Sequence, residues 1–394
     1  MGSSAADARY HIAIDGQALA GDRPTGLGRV ARSVAAELKQ LSDVRVDAIM
    51  PPDPAGFARA RERWVWEQWQ LPCKVSDRGA PLLYSPAFGC PFLGGFKKLL
   101  MVHDLLPVEQ GWETHSGRLG GAQWYWRKYL PESAASASAV VVNSRETREA
   151  LLRCTPVSRN RVYVLPLGAP WEAGSLAREA AVESWRTVCP FEEPYALMVG
   201  SLVPRKDGAT ALRAIQVLNH QAMRVPLVVV GSGDAYGEQL RQLANDLGIA
   251  EQVHWCDYVA DDEQLRAIYD GAGVVICPSQ AEGFDLPAVE GACAGVAVVA
   301  SELPVHHEVM GTAAQYFPVG DPSALAQLIS DLWRDERARD EWALRALARG
   351  RRYSWERHAA GVAALARLLI DGEQLPSPDA FAATLERQPI GIVA

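Results

Sequence analysis

Short apolar runs alternate with amphipathic stretches along this chain, and the two periods predict strands and helices in turn. Tyr10-His11-Ile12-Ala13-Ile14 reads as a first strand. The turn Pro24-Thr25-Gly26-Leu27-Gly28-Arg29 follows, and then Val30, Val34, Ala35 and Leu38 recur at helical spacing. Further apolar runs predict strands at Lys98–Val102, Ala139–Val142 and Arg161–Leu165. Ala139–Val142 leads into Asn143-Ser144-Arg145-Glu146, where Asn143 is expected to cap the next helix and Glu146 to close a capping box. Residues 168–193 break the rhythm with Pro, Gly and mixed charge and predict a linker. Beyond it, strands are expected at Ala196–Val199, Pro226–Val230, Val253–Trp255, Gly273–Cys277 and Ala297–Ala300. Helix starts are marked by Asp261-Asp262-Glu263-Gln264 and by Asp321-Pro322, a cap followed by a first-turn proline. Such alternation predicts the α/β class, with parallel sheets carrying helices on both faces.

At 394 residues the chain exceeds one ordinary core, so two domains are expected, residues 1–185 and 190–351. Open α/β domains bind ligands at the carboxyl ends of their strands, so a substrate shared by two of them meets both sites across a cleft. The polar, proline-containing residues 373–394 are expected to pack loosely. A net charge of −8 argues against a protein that coats nucleic acid. The seven cysteines are scattered and form no Cys-x-x-Cys pair, which reads as reduced thiols in a cytoplasmic protein. The start, Met1 to Asp7, has neither the basic region nor the apolar core of a signal peptide, and no apolar stretch reaches the ~20 residues of a membrane span. No metal-ligand cluster and no Asp-x-Asp at a strand end is visible, so no metal or other cofactor is expected.

The candidate chemistry concentrates between Pro278 and Glu290. Glu282 and Glu290 are separated by seven residues, the first on a loop after the strand at Gly273–Cys277, the second about one turn into a helix that Pro287 starts. Backbone N–H groups at that helix start, around Gly283, Phe284, Asp285 and Leu286, suit an anion, whereas carboxylates suit hydroxyl donors. The combination points to a ligand carrying both a diphosphate and sugars, a nucleotide sugar. A helix-terminus acid and a solvated helix carboxylate are the plainer readings of the two glutamates. Gly200-Ser201-Leu202-Val203-Pro204-Arg205-Lys206 follows another strand, and Arg205 and Lys206 there are suited to neutralising a departing diphosphate. A solvated basic loop is the alternative.

Weaker signals surround these. Gly231-Ser232-Gly233 brings backbone near a ligand or makes a tight turn. Tyr258 and Val259 follow a strand and suit contact with a nucleobase, or a core position. His103 and Asp104 end a strand of the first domain, where His103 would touch the sugar or position an acceptor hydroxyl, and Gly26, Gly28 and Arg29 lie on the first strand–helix loop. Six of the 12 tryptophans (Trp64, Trp66, Trp69, Trp112, Trp124 and Trp126) fall among basic residues including Arg61, Arg63, Arg127 and Lys128, which reads as ordinary packing, an acceptor surface or a membrane-interface patch.

Together, Glu282-x7-Glu290, Pro204-Arg205-Lys206, Gly26-Leu27-Gly28-Arg29 and His103-Asp104 resemble the retaining GT-B glycosyltransferases of glycosyltransferase family 4, in particular those building bacterial surface polysaccharides by mannosyl, rhamnosyl or fucosyl transfer. The similarity spans roughly residues 10 to 365. It implies two Rossmann-like, doubly wound parallel-sheet domains facing a cleft, with a crossover helix at 352–372 returning to the first domain. It further implies that Glu282 and the amides near Phe284–Leu286 hold sugar and phosphate, Arg205 and Lys206 the diphosphate, and Glu290 the ribose. The expected reaction is transfer of a hexose or deoxyhexose, GDP-mannose being the best guess at donor, to a glycan or lipid-linked glycan acceptor. The resemblance implies no metal, and the departing phosphate takes the acceptor's proton. Asp285 stands where the family usually has glycine, and Ser201 where many relatives have arginine. A sugar-nucleotide epimerase and a non-catalytic nucleotide-sugar-binding partner of another transferase are the rivals. A hydrolase using paired carboxylates fits Glu290 poorly.

Overall fold

The structure is a computed structural model that describes residues 8–20, 26–52, 60–87, 89–111, 125–192, 194–233 and 235–387. It divides into two compact units, residues 1–167 with 355–394, and residues 168–354.

The first unit holds a six-stranded parallel sheet of β1 (Tyr10–Asp15), β2 (Val44–Ile49), β3 (Leu82–Ser85), β4 (Lys97–Val102), β5 (Ala139–Val142) and β6 (Val162–Val164), in the order β2-β1-β3-β4-β5-β6. Runs such as Leu99-Leu100-Met101 and Val140-Val141-Val142 are fully buried, as expected of strands covered on both faces. β2 and β3 escape the sequence reading. β2 is an edge strand whose Arg45 and Asp47 interrupt the apolar pattern, and β3 is only four residues long. The order reverses between β1 and β3.

The second unit is a parallel sheet of β7 (Tyr195–Val199), β8 (Leu227–Val230), β9 (Val253–Cys256), β10 (Ala272–Cys277), β11 (Ala297–Ser301) and β12 (Gln315–Phe317), in the order β12-β11-β10-β7-β8-β9. Successive strands run outward from β7 through β8 to β9, and from β10 through β11 to β12. The topological switch therefore lies between β7 and β10, and the crevice beyond their carboxyl ends is where such a sheet binds its ligand.

Several boundaries differ from expectation. The division falls at 167/168, so residues 168–185 belong to the second unit. The expected linker contains the helix Glu179–Val188, whose Trp185 donates its indole N–H to Tyr195 Oη at 2.8 Å. Ser144, not Asn143, caps the helix Arg145–Cys154 by accepting from the Thr147 amide, while the Asn143 amide donates to the His103 carbonyl at 2.9 Å. The helix Trp355–Asp371 lies in the first unit. Its Arg367 makes a bidentate pair with Asp43, with distances of 2.9 and 2.7 Å. Residues 378–387 form a helix that buries Pro378 and Phe381, so that part of the tail is anchored rather than loose.

Gly231 fixes the spacing of the loops after β7 and β8. It has φ +151°, and a Cβ added there would lie 1.9 Å from the Gly200 carbonyl oxygen. Backbone cannot yield as a side-chain tip does, so Gly231→Ala is expected to destabilise by about 2–4 kcal/mol, in the range of strained or overpacked sites. Urea unfolding checks this, and a loss under about 0.5 kcal/mol would show that the two loops are not held at this distance.

Candidate functional site

At the switch point of the second unit, two loops converge. The one after β7 ends in a short 3-10 turn, Pro204–Lys206, and Asp207 then adopts the left-handed conformation at φ 47°. Asp207 offsets that strain by capping the helix Gly208–His220, accepting from the Thr210 amide at 3.3 Å, and it also accepts from the Thr210 hydroxyl at 2.8 Å. The loop after β10 leads to the helix Leu286–Ala294, which Pro287 begins. The loops are stitched by the Gln280 amide, which donates to the Arg205 carbonyl at 2.7 Å, and by Arg205 Nη1, which donates to the Ala281 carbonyl at 3.2 Å.

Charge is concentrated between them. Glu282 Oε2 lies 3.0 Å from Arg205 Nη1, and Oε1 lies 2.5 Å from Lys206 Nζ and accepts from the Ser279 hydroxyl at 2.7 Å. Lys206 Nζ also lies 3.2 Å from Asp285 Oδ1. Lys206, Asp285 and Glu290 are buried. Burial opposes the Lys206 ammonium, but the Glu282 and Asp285 carboxylates outweigh it and hold the pKa above the ordinary value. The reading as a solvated basic loop is therefore wrong for Lys206. Glu290 is not a solvated carboxylate either, since it accepts from the Tyr269 hydroxyl at 2.8 Å inside a mostly buried helix.

The remaining predicted residues take mixed places. Gly200 and Gly231 are at the ends of β7 and β8, and Tyr258 and Val259 follow β9 half-buried, all at the carboxyl edge of the same sheet. Phe284 is buried, edge-on to Tyr353 with ring centroids 5.8 Å apart, so its side chain is core rather than ligand surface. Gly283 is buried and Leu286 half-buried at the helix start. Asp285 does not reach outward. Its φ of 72° turns the carboxylate into the cluster, toward Lys206 and His306.

His306 is the residue that sequence reasoning missed, together with Ser279, Ser301 and Tyr269. It lies on the short helix Pro304–Met310 after β11, and strand-end placement beside the Glu282 loop was the signal available.

In the first unit, His103 follows β4. Its Nε2 stands 2.6 Å from the Pro86 carbonyl, so Nε2 carries the proton and Nδ1 presents a lone pair. Burial pulls its pKa down to about 4, so the ring is neutral near pH 7. Asp104 accepts from the Leu106 amide at 3.1 Å. Gly26, Gly28 and Arg29 lie on the first turns of the helix Gly26–Gln40 rather than on a loop, and Pro24 and Thr25 are outside the described residues. Of the tryptophan cluster, Trp66 is core and donates to buried Asp15 at 3.0 Å, whereas Trp69 is 66% exposed. Trp112, Trp124 and the Trp126 side chain are outside the described residues. Among the described residues no group of three or more His, Cys, Asp or Glu is placed to hold a metal ion.

Residues 193–335, which contain both loops and the buried charge cluster, match the family described as "Glycosyl transferases group 1". The structure is similar to HepE of Anabaena, solved in complex with UDP and glucose, at a TM-score of 0.69 and 17% identity, covering 91% of this chain and 99% of that one. The chain has the GT-B fold. Among curated proteins it is 28% identical over 236 residues to the O-antigen chain mannosyltransferase B of Escherichia coli, a match covering 59% of this chain and 61% of that protein. It is 30% identical over 243 residues to the D-inositol 3-phosphate glycosyltransferase of Xylanimonas cellulosilytica, covering 58% of this chain and 56% of that protein. The matches thus span about three-fifths of those relatives. No helix among the described residues is long and apolar enough to cross a membrane.

Proposed function

We propose that this protein is a retaining glycosyltransferase of family 4 that moves a hexose or deoxyhexose, with GDP-mannose the favoured donor, to a glycan or lipid-linked glycan hydroxyl in bacterial polysaccharide assembly. The observation that carries this reading is the Arg205–Glu282–Lys206 cluster, with Lys206 buried, at the switch point of the matched domain. The mannosyltransferase relative favours mannose, and the nucleotide in the HepE complex favours a nucleoside-diphosphate donor.

The geometry supports an exchange of partners. Without donor, Glu282 keeps both cations paired, which buried charges require. The donor's diphosphate takes over Arg205 and Lys206, and Glu282 turns to accept from sugar hydroxyls. As the anomeric bond stretches, negative charge grows on the diphosphate, where the two cations and the amides opening the helix Leu286–Ala294 stabilise it. Glu290, set by Tyr269, is assigned to the ribose hydroxyls, and the neutral His103 offers Nδ1 as acceptor to a substrate hydroxyl. No side chain is assigned as nucleophile. The phosphate that leaves takes the acceptor's proton on the same face. No metal is required in this scheme, because Arg205 and Lys206 carry the positive charge.

A thermal-shift screen with GDP-, UDP-, dTDP- and ADP-sugars, run with and without EDTA, tests this reading. A true donor raises stability by mass action, by about 2.7 kcal/mol at a hundred times its Kd. Slow donor hydrolysis without acceptor marks a transferase, and a changed sugar marks an epimerase. No shift with any donor sinks the assignment.

Peripheral contact with the cytoplasmic membrane face is proposed for the first unit. Trp69 and Leu93 are 66% and 77% exposed there, and Gln68 accepts from the Phe92 amide at 3.0 Å, joining their two segments. Failure to co-sediment with anionic vesicles at low salt refutes that contact.

A further inference from the structure

His306 stands between two oxygens. Its Nδ1 lies 2.7 Å from the Ser301 carbonyl, which only accepts. Its Nε2 lies 3.2 Å from Asp285 Oδ2, a carboxylate oxygen, and neither of those two atoms has another hydrogen-bond partner. A neutral imidazole has one N–H and would turn a lone pair toward one of these oxygens. Both contacts are favourable only for the imidazolium, and Asp285 ties it to Lys206 at 3.2 Å.

Asp285 itself is held at a cost. Its φ of 72° is left-handed, and unlike Asp207 it caps no helix with its side chain. Such strain persists where surrounding contacts demand it, and the charged contacts present are those to Lys206 and His306, beside a hydrogen bond from the Cys277 thiol.

Resting on the transferase reading above, we propose that Asp285 and His306 are positioning residues for the donor diphosphate: Asp285 holds the Lys206 ammonium in place, and the His306 imidazolium cancels the Asp285 charge so that the site stays cationic. Arg205, Lys206 and His306 are then three positive charges against the two of Glu282 and Asp285. Loss of the His306 proton leaves two against two, and donor binding weakens.

The other groups facing His306 do not replace that proton. From the loop after β10 come Asp285 and Glu282, both anionic. From the loop after β7 come Lys206 and Arg205, already paired with those acids. Tyr316 of β12 donates to the His306 carbonyl, and Arg349 and Tyr353 bond to carbonyls of the same helix. Cys277, at the end of β10, is kept a thiol by burial. Burial disfavours the imidazolium, but Asp285 outweighs it and raises the His306 pKa.

The test uses GDP-mannose, whose diphosphate is esterified at both ends and keeps its charge across neutral pH. Wild-type affinity is expected to fall about tenfold between about pH 6 and about pH 9, as one favourable charge is lost. His306→Gln is expected to bind about tenfold more weakly at low pH and to show a flat profile. Asp285→Gly removes the carboxylate and relieves the left-handed strain. Because the relieved strain offsets part of the lost ion pairing, it is expected to be less destabilised than Asp285→Asn, with a flat binding profile and with kcat lowered because Lys206 is less well held. A merely structural pair would lower stability and leave the pH profile of donor binding unchanged. Ring NMR of His306 is read in parallel, with its pKa expected to fall in Asp285→Asn. Wild type that binds donor with a profile matching His306→Gln overturns this proposal and leaves the transferase reading intact. Wild type that binds no nucleotide sugar at any pH overturns both.

Discussion

Lys206→Ala is expected to lower kcat by about 10²–10³-fold, the loss seen when one preorganised stabiliser of developing charge is removed. The ammonium is the most enclosed cation of the site. Its side chain is 11% exposed, against 31% for Arg205. In that setting each charge interaction is stronger than in water, and solvent cannot stand in for the missing group. Arg205 cannot substitute, because it already carries its own share of the diphosphate charge and is the more open of the two cations. Lys206→Arg is not a conservative rescue. The longer planar fork does not fit where one nitrogen lies 2.5 Å from Glu282 and 3.2 Å from Asp285. Steady-state kinetics with a saturating donor provide the check. A kcat within threefold of wild type would falsify the role given to Lys206.

Much of this was legible in the residues, and the illegible part has a physical cause. The strands at the switch point, β7 and β10, are continuous apolar runs, which buried parallel strands produce, so the loops that follow them were placed correctly. Lys206 and Glu282 were singled out because they directly follow such runs, and the structure brings the two side chains together at 2.5 Å. Edge strand β2 and the three-residue β12 were missed because their pattern is half polar or too short to show a period. Asp285 was singled out by its place in the motif, but its pairing with His306 was out of reach for another reason. Their meeting depends on the left-handed turn at Asp285 and on the pairing of Cys277 with Ala300, which sets the chain after β11 beside the Glu282 loop. Neither is encoded by local spacing. The capping residue failed on a similar point: Asn143 and Ser144 are both good caps, and the His103 carbonyl, a contact distant in sequence, decided between them.

Glu282→Ala is expected to act on stability and turnover together. Glu282 is the shared anion of Arg205 and Lys206, with its side chain 7% exposed. Removing it leaves two cations close together with Asp285 as the remaining anion for Lys206, and stripping one partner from a buried ion pair costs roughly 3–5 kcal/mol. The lower end applies, because Arg205 is partly open to water and turns toward it. Turnover is expected to drop about 10²-fold, since the donor sugar loses its carboxylate acceptor and Lys206 loses its main anchor. The pair is therefore expected to be strongly non-additive. In Lys206→Ala/Glu282→Ala the repulsion is absent and only Arg205 remains to be solvated, so the double variant is expected to be more stable than Glu282→Ala alone, with a coupling of about 1.5–3 kcal/mol. Urea titrations of the wild type, both single variants and the double variant measure that coupling. Additivity within about 0.5 kcal/mol would mean that the two side chains are not in contact in solution, and the charge cluster on which the donor site rests would have to be abandoned.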